Sequence, residues 1–104
     1  MYRVTTPTHT YTLPISTDEC AEIQITYKQD KTSVVKHYQD GTLPDGMSLE
    51  GNTVIVVLSQ EETAKFAKGK VEAQVRVLTT GGEAMASQTF KLKINDVLND
   101  EVLG

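Results

Sequence analysis

The 104-residue chain has no tryptophan, a single cysteine, three prolines, and only four tyrosines and two phenylalanines. Each scarcity removes something. With Cys20 alone, no intramolecular disulfide can form. Without tryptophan, and with its few other rings scattered, the chain offers no evident platform on which a sugar could stack. Basic residues are also short, with ten Lys and Arg against fourteen Asp and Glu, a net charge of −4 and a pI near 5.0. Nucleic acid is bound by cations that release counterions from phosphate, so nucleic-acid partners are not expected. An anionic membrane surface is excluded on the same ground. No apolar run approaches the roughly 20 residues that cross a bilayer. The opening MYRVTTPTHTYTLP lacks the apolar core of about 7–15 residues that a signal peptide carries. The expectation is a protein folded in a cytoplasm and not secreted by a signal peptide.

What is present is ordinary globular material, 38% hydrophobic and 23% charged, in one domain's length. Thr8–Leu13 alternates threonine with His9, Tyr11 and Leu13. Ala21–Lys28 sets Ile23, Ile25 and Tyr27 against Glu22, Gln24, Thr26 and Lys28. Period-two alternation marks half-buried strands. Pro14 and Ser16–Glu19 separate these two strands, and a tight turn at Gln29-Asp30-Lys31 leads into Thr32–Tyr38. Asp40-Gly41 and Asp45-Gly46 flank a loop, and Gly51-Asn52 is a two-residue hairpin signal between Met47–Glu50 and Thr53–Leu58.

Val54–Leu58 is apolar on both faces, as in a strand buried between layers or at an interface. Ser59-Gln60-Glu61-Glu62 has the form of a capping box. It predicts about two helical turns that end near Gly69, with Phe66 turned inward. Lys70–Thr79 alternates cleanly, Thr80–Glu83 turns, and Ala84–Asn95 is predicted to return as one strand. Seven to eight short strands with turns every 8–12 residues and one short helical turn predict an all-β antiparallel sandwich. A small closed barrel is the alternative. Residues 1–98 are expected to form the sandwich and 99–104 a tail; Asp96–Gly104, with Val97, Leu98, Val102 and Leu103 among acids, is expected to form a short docking helix.

No pattern of side chains carries catalysis. His9 and His37 stand 28 positions apart with no partner at metal-ligand spacing, so no metal and no other cofactor is expected. Cys20 follows Asp18 and Glu19, which raise a thiol's pKa and disfavour a thiolate nucleophile. The adjacent acids Glu61 and Glu62 suit the positive end of a helical turn better than a glycosidase pair. The Asp40–Gly46 loop lacks the alternating acids of a calcium loop. Gly81-Gly82 precedes a strand, not the helix that a phosphate loop requires. The chain is expected not to be an enzyme.

One stretch carries a family likeness. Leu58-Ser59-Gln60-Glu61, Gly69-Lys70-Val71, Gly81-Gly82-Glu83, Ala86-Ser87 and Ile94-Asn95-Asp96-Val97-Leu98 follow one another in order. Together they resemble the N-terminal immunoglobulin-like domain of siphophage baseplate upper proteins and its stand-alone relatives in Gram-positive prophages. Pro7–Leu13 followed by Ile23–Tyr27 is similar to the stand-alone relatives. The resemblance implies an immunoglobulin-like sandwich in a phage tail or baseplate, acting through contacts with other virion or tail proteins. The baseplate proteins continue past this domain, whereas this sequence ends at Gly104, so an adaptor, accessory or assembly role is expected in place of arm anchoring.

Apolar residues not needed for the core mark candidate contact surfaces. One is Ile55 and Val57, joined by Leu78, on outer strand faces. The other is Val97, Leu98, Val102 and Leu103 near the C-terminus. Self-association is compatible with the symmetry of virion parts. The competing reading is a binding module for a host-surface glycan or protein, unrelated to virion assembly.

Overall fold

Apolar residues at every second position give each strand one face that must leave water. The computed structural model, which describes every residue from Met1 to Gly104, stacks two sheets on those faces. The strands are β1 (Thr8–Thr12), β2 (Cys20–Gln29), β3 (Thr32–Gln39), β4 (Met47–Glu50), β5 (Thr53–Val57), β6 (Gly69–Thr79), β7 (Ala84–Ala86) and β8 (Phe90–Ile94). A 3-10 turn, Thr17–Glu19, precedes β2, and helix α1 (Gln60–Ala64) joins β5 to β6.

One sheet has the order β1-β5-β4, and the other β3-β2-β6-β7 with β8 also on β6; all pairs are antiparallel. Assigning β1 to immunoglobulin strand B, β2–β6 in turn to C, C′, D, E and F, and β7 with β8 together to G, gives B-E-D facing C′-C-F-G. That is the immunoglobulin order without its strand A. Two separate sheets with free edges rule out a closed barrel.

The inward sets are those that alternation predicts. Ile23, Ile25 and Tyr27 of β2, Val54 and Val56 of β5, and Val71, Ala73, Val75 and Val77 of β6 are all buried. Leu58, Phe66 and Ile94 belong to the same core, with Leu13, Cys20, Val34 and Met47. Hairpin turns follow their chemistry. Asp30 takes a left-handed φ of 50° between Gln29 and Thr32, and Gly51 one of 60° between β4 and β5.

Three elements depart from the sequence expectation. Helix α1 is five residues long, not two turns. Its capping box forms, with the Glu62 amide donating to Ser59 Oγ at 3.0 Å and the Ser59 amide to Glu62 Oε1 at 2.9 Å. Beyond it the Arg3 guanidinium donates to the carbonyls of Ala64 and Phe66, at 3.0 and 2.6 Å. Those carbonyls are satisfied from outside, so no second turn is required.

The expected single strand Ala84–Asn95 is two. Arg76 pairs with Ala86 but Ala73 with Phe90, four steps against three, so one extra residue bulges out between β7 and β8. Ser87 holds the bulge: its amide donates to the Val75 carbonyl at 2.8 Å, and its Oγ accepts from the Val75 amide at 3.0 Å. Finally, the C-terminal segment is irregular, not helical. The Gln60 side chain grips it, donating to the Leu103 carbonyl at 2.8 Å and accepting from its amide at 2.9 Å.

Candidate interaction surface

Polar side chains enter the sandwich from inward positions and find partners there. Tyr27, fully buried, places its hydroxyl 2.8 Å from His9 Nδ1 and 2.7 Å from the Tyr11 hydroxyl. Burial pushes the Tyr27 hydroxyl far above its ordinary pKa, so it stays protonated. Burial, and then the positive N-terminal amine, hold His9 below its usual value. Lys36 sits on the inward face of β3, its ammonium donating to the Asp45 carbonyl and pairing with Glu62 Oε2, each at 2.8 Å. Burial alone would raise Glu62; the Lys36 ammonium and the Ser59 amide outweigh it and hold the carboxyl below the usual range. No buried side-chain polar atom is left without a partner.

Neither of these clusters juxtaposes an activated nucleophile with a base. Cys20, the first residue of β2, is buried, and burial with the neighbouring Glu19 raises its thiol pKa. His37 reaches the Glu22 carboxylate at 2.8 Å on the outer face of β2 and β3. No group of three or more His, Cys, Asp or Glu side chains converges as metal ligands would.

A groove of about 690 Å³ runs along the open side of the sandwich. One wall is β1 from Thr8 on to Pro14, the other β7, Ser87 and β8, with Val75 and Val77 of β6 as its floor. Tyr11 and Phe90 meet across it with ring centroids 6.0 Å apart, and Phe90 remains 44% exposed. None of the lining residues is an acid, lysine or arginine.

The wall formed by β1 is a free strand edge. The Leu58 amide donates to the Pro7 carbonyl, and the Leu13 amide to the Asn52 carbonyl. Odd-numbered residues therefore bond to β5, and alternation directs the backbone N–H and C=O groups of Thr8, Thr10 and Thr12 away from it. On β8, by contrast, the end of the edge is covered. Asn95 exchanges bonds with Met1 and Arg3, and the N-terminal amine donates to the Lys93 carbonyl.

The structure separates the residues that the sequence groups together. Ile55 and Val57 lie on the outer face of β5, opposite Thr10 and Thr8 of β1, with Val57 exposed and Ile55 half-buried. Neither is fully buried. Leu78, half-buried, projects from the outer face of the other sheet and does not join them. Leu98, Val102 and Leu103 are exposed, while Val97 is half-buried.

Sequence reasoning missed the groove and the inward Lys36. The only local signal of the groove was the run of uncharged residues in THTYT. Lys36 carried none, because a lysine in a strand is ordinarily assigned to the solvent face.

The class that fold and surface define is an immunoglobulin-like all-β sandwich with one open, uncharged side. Comparison with protein-family models, with curated proteins and with solved structures finds no match to the chain.

Proposed function

We propose that this chain is a non-enzymatic structural or accessory protein of a phage or prophage tail or baseplate region, acting through protein–protein contacts. The observation that carries the contact reading is the open side of the sandwich: an apolar groove beside an unpaired strand edge, both free of acids, lysine and arginine. An edge of this kind is a template for pairing with another chain. The virion part of the reading is supported by the resemblance of Leu58–Leu98 to the baseplate domain. The polar groups that point inward are occupied with one another, which suits a scaffold whose chemistry is contact.

Two measurements test the reading. The first is the identity of the neighbouring genes, which are expected to encode tail, tape-measure or lysis proteins. The second is mass spectrometry of particles purified from the producing strain, in which the chain is expected at a fixed ratio to tail proteins. Neighbours of unrelated function together with absence from particles and assembly intermediates would reject the virion assignment.

A further inference from the structure

We propose that the groove between β1 and β7–β8 is a strand acceptor, and that its occupant is a single extended, uncharged segment of a protein partner, added as a new strand beside β1. This rests on the protein-contact reading above and names the surface and the kind of partner.

The five edge strands differ in how they discourage pairing; β7, at three residues, is too short to offer an edge. β3 carries the inward-pointing charge of Lys36. β4 is only four residues long and ends in Glu50. β8 bears Lys91 and Lys93 and is partly covered by Met1–Arg3. Inward charges, short strands, lysines and covering segments are the usual means of blunting an edge. β1, Thr-His-Thr-Tyr-Thr, has none of them and leaves the backbone groups of Thr8, Thr10 and Thr12 outward.

The groove selects the occupant. A strand placed beside β1 would direct alternate side chains onto Tyr11, Met85, Phe90 and Leu92, and the others onto the outer row of threonines. Main-chain bonds would supply affinity, and the apolar floor specificity, as in recognition by β-strand addition. A charged residue directed inward would meet no counter-ion there, since the lining carries none. Charge complementarity therefore calls for an uncharged segment, and it counts against the tail of a second copy, which holds Asp100 and Glu101 between its apolar pairs.

Size points the same way. β1 spans about 17 Å, and a segment of that length covers well under the roughly 800 Å² per partner of a standard folded interface. A second sandwich pairing through its own β1 would also bring its larger sheet toward the space that β7 and β8 already fill. The site fits one strand.

The test uses the whole chain, labelled with ¹⁵N, and a peptide of alternating threonine and valine with a lysine at each end. At saturating peptide the amide exchange of Thr8, Thr10 and Thr12 is expected to slow by about tenfold or more, with little change at His9 and Tyr11. A peptide with the same residues reordered to group the valines is expected to do nothing. Phe90→Lys, at an exposed position, should abolish the protection while keeping the spectrum of a folded protein. Thr10→Pro, which removes one outward N–H and no bond to β5, should weaken it.

Three results would overturn the proposal. They are no protection at these amides, equal protection by the reordered peptide, or protection without peptide that grows with protein concentration. The last would make a second copy the occupant. Failure here leaves the virion reading standing, because gene neighbourhood and particle content test that separately.

Discussion

The Lys36 ammonium lies 2.8 Å from the Glu62 carboxylate, tying the inward face of β3 to the helical turn that carries the chain from one sheet to the other. Glu62 also closes the capping box on Ser59. One carboxylate thus starts the helix and neutralises a lysine that would otherwise be a buried, unpaired charge.

That pairing predicts a strongly coupled mutant cycle. Glu62→Gln keeps a residue able to cap but strands Lys36, and should cost about 3 kcal/mol. Lys36→Met together with Glu62→Gln removes both charges and should recover most of that loss, leaving a deficit of about 1 kcal/mol. Urea unfolding measures both. A double variant that loses the sum of the two single losses would show that the contact is not coupled.

Ser59→Ala isolates the cap from the ion pair. It removes the acceptor for the Glu62 amide and should cost about 1 kcal/mol. A change near zero in the same urea titration would mean that tertiary packing of Phe66 alone holds the turn.

Gly46 predicts a backbone effect. Its φ is +78°, and a Cβ there would overlap the Val57 carbonyl oxygen. Its own carbonyl accepts from the Val57 amide at 2.7 Å. Gly46→Ala should therefore cost about 2 kcal/mol or more, from left-handed strain and displacement of β5. Gly41→Ala, with a similar φ of +77° but open space around it, should cost only the strain of about 1–2 kcal/mol. Thermal melts of the two variants separate the clash from the conformation.

His9 sets a pH dependence. Its folded pKa lies below the ordinary 6.5, so as pH falls below that value the unfolded chain takes up the proton first. His9 thus contributes stability that is present above about pH 6.5 and lost as pH drops through its folded value. Glu62, also held low, adds a second loss that begins nearer its ordinary 4.5. Tyr27, hydrogen-bonded to His9, and Tyr11, hydrogen-bonded to Tyr27, stay neutral throughout this range. In His9→Gln the decline between pH 6.5 and 5 should flatten while the acid limb remains. Melting temperature against pH reads both parts.

Much of the scaffold was legible because alternation is local. Ile23, Ile25 and Tyr27, or Val71 to Val77, declare their faces without reference to any other strand, and Ser59 and Glu62 declare the helix start. The bulge was not legible. Ala84 and Ala86 are small enough to suit either face, so nothing local shows that the inward set passes from Met85 and Ser87 to Phe90, Leu92 and Ile94. The length of α1 was hidden as well, since Arg3, far away in sequence, supplies the donors that end it. The groove lay further out of reach. His9, Tyr11 and Leu13 were readable as an apolar face, but that β8 stands across from them with no strand between is a property of sheet order.

Amide hydrogen exchange along β1 in the free, dilute protein tests the central claim most directly. An open edge predicts alternation, with fast exchange at Thr8, Thr10 and Thr12 and slow exchange at His9 and Tyr11. Uniform protection of all five amides would contradict the account, because it would mean that this edge is already paired.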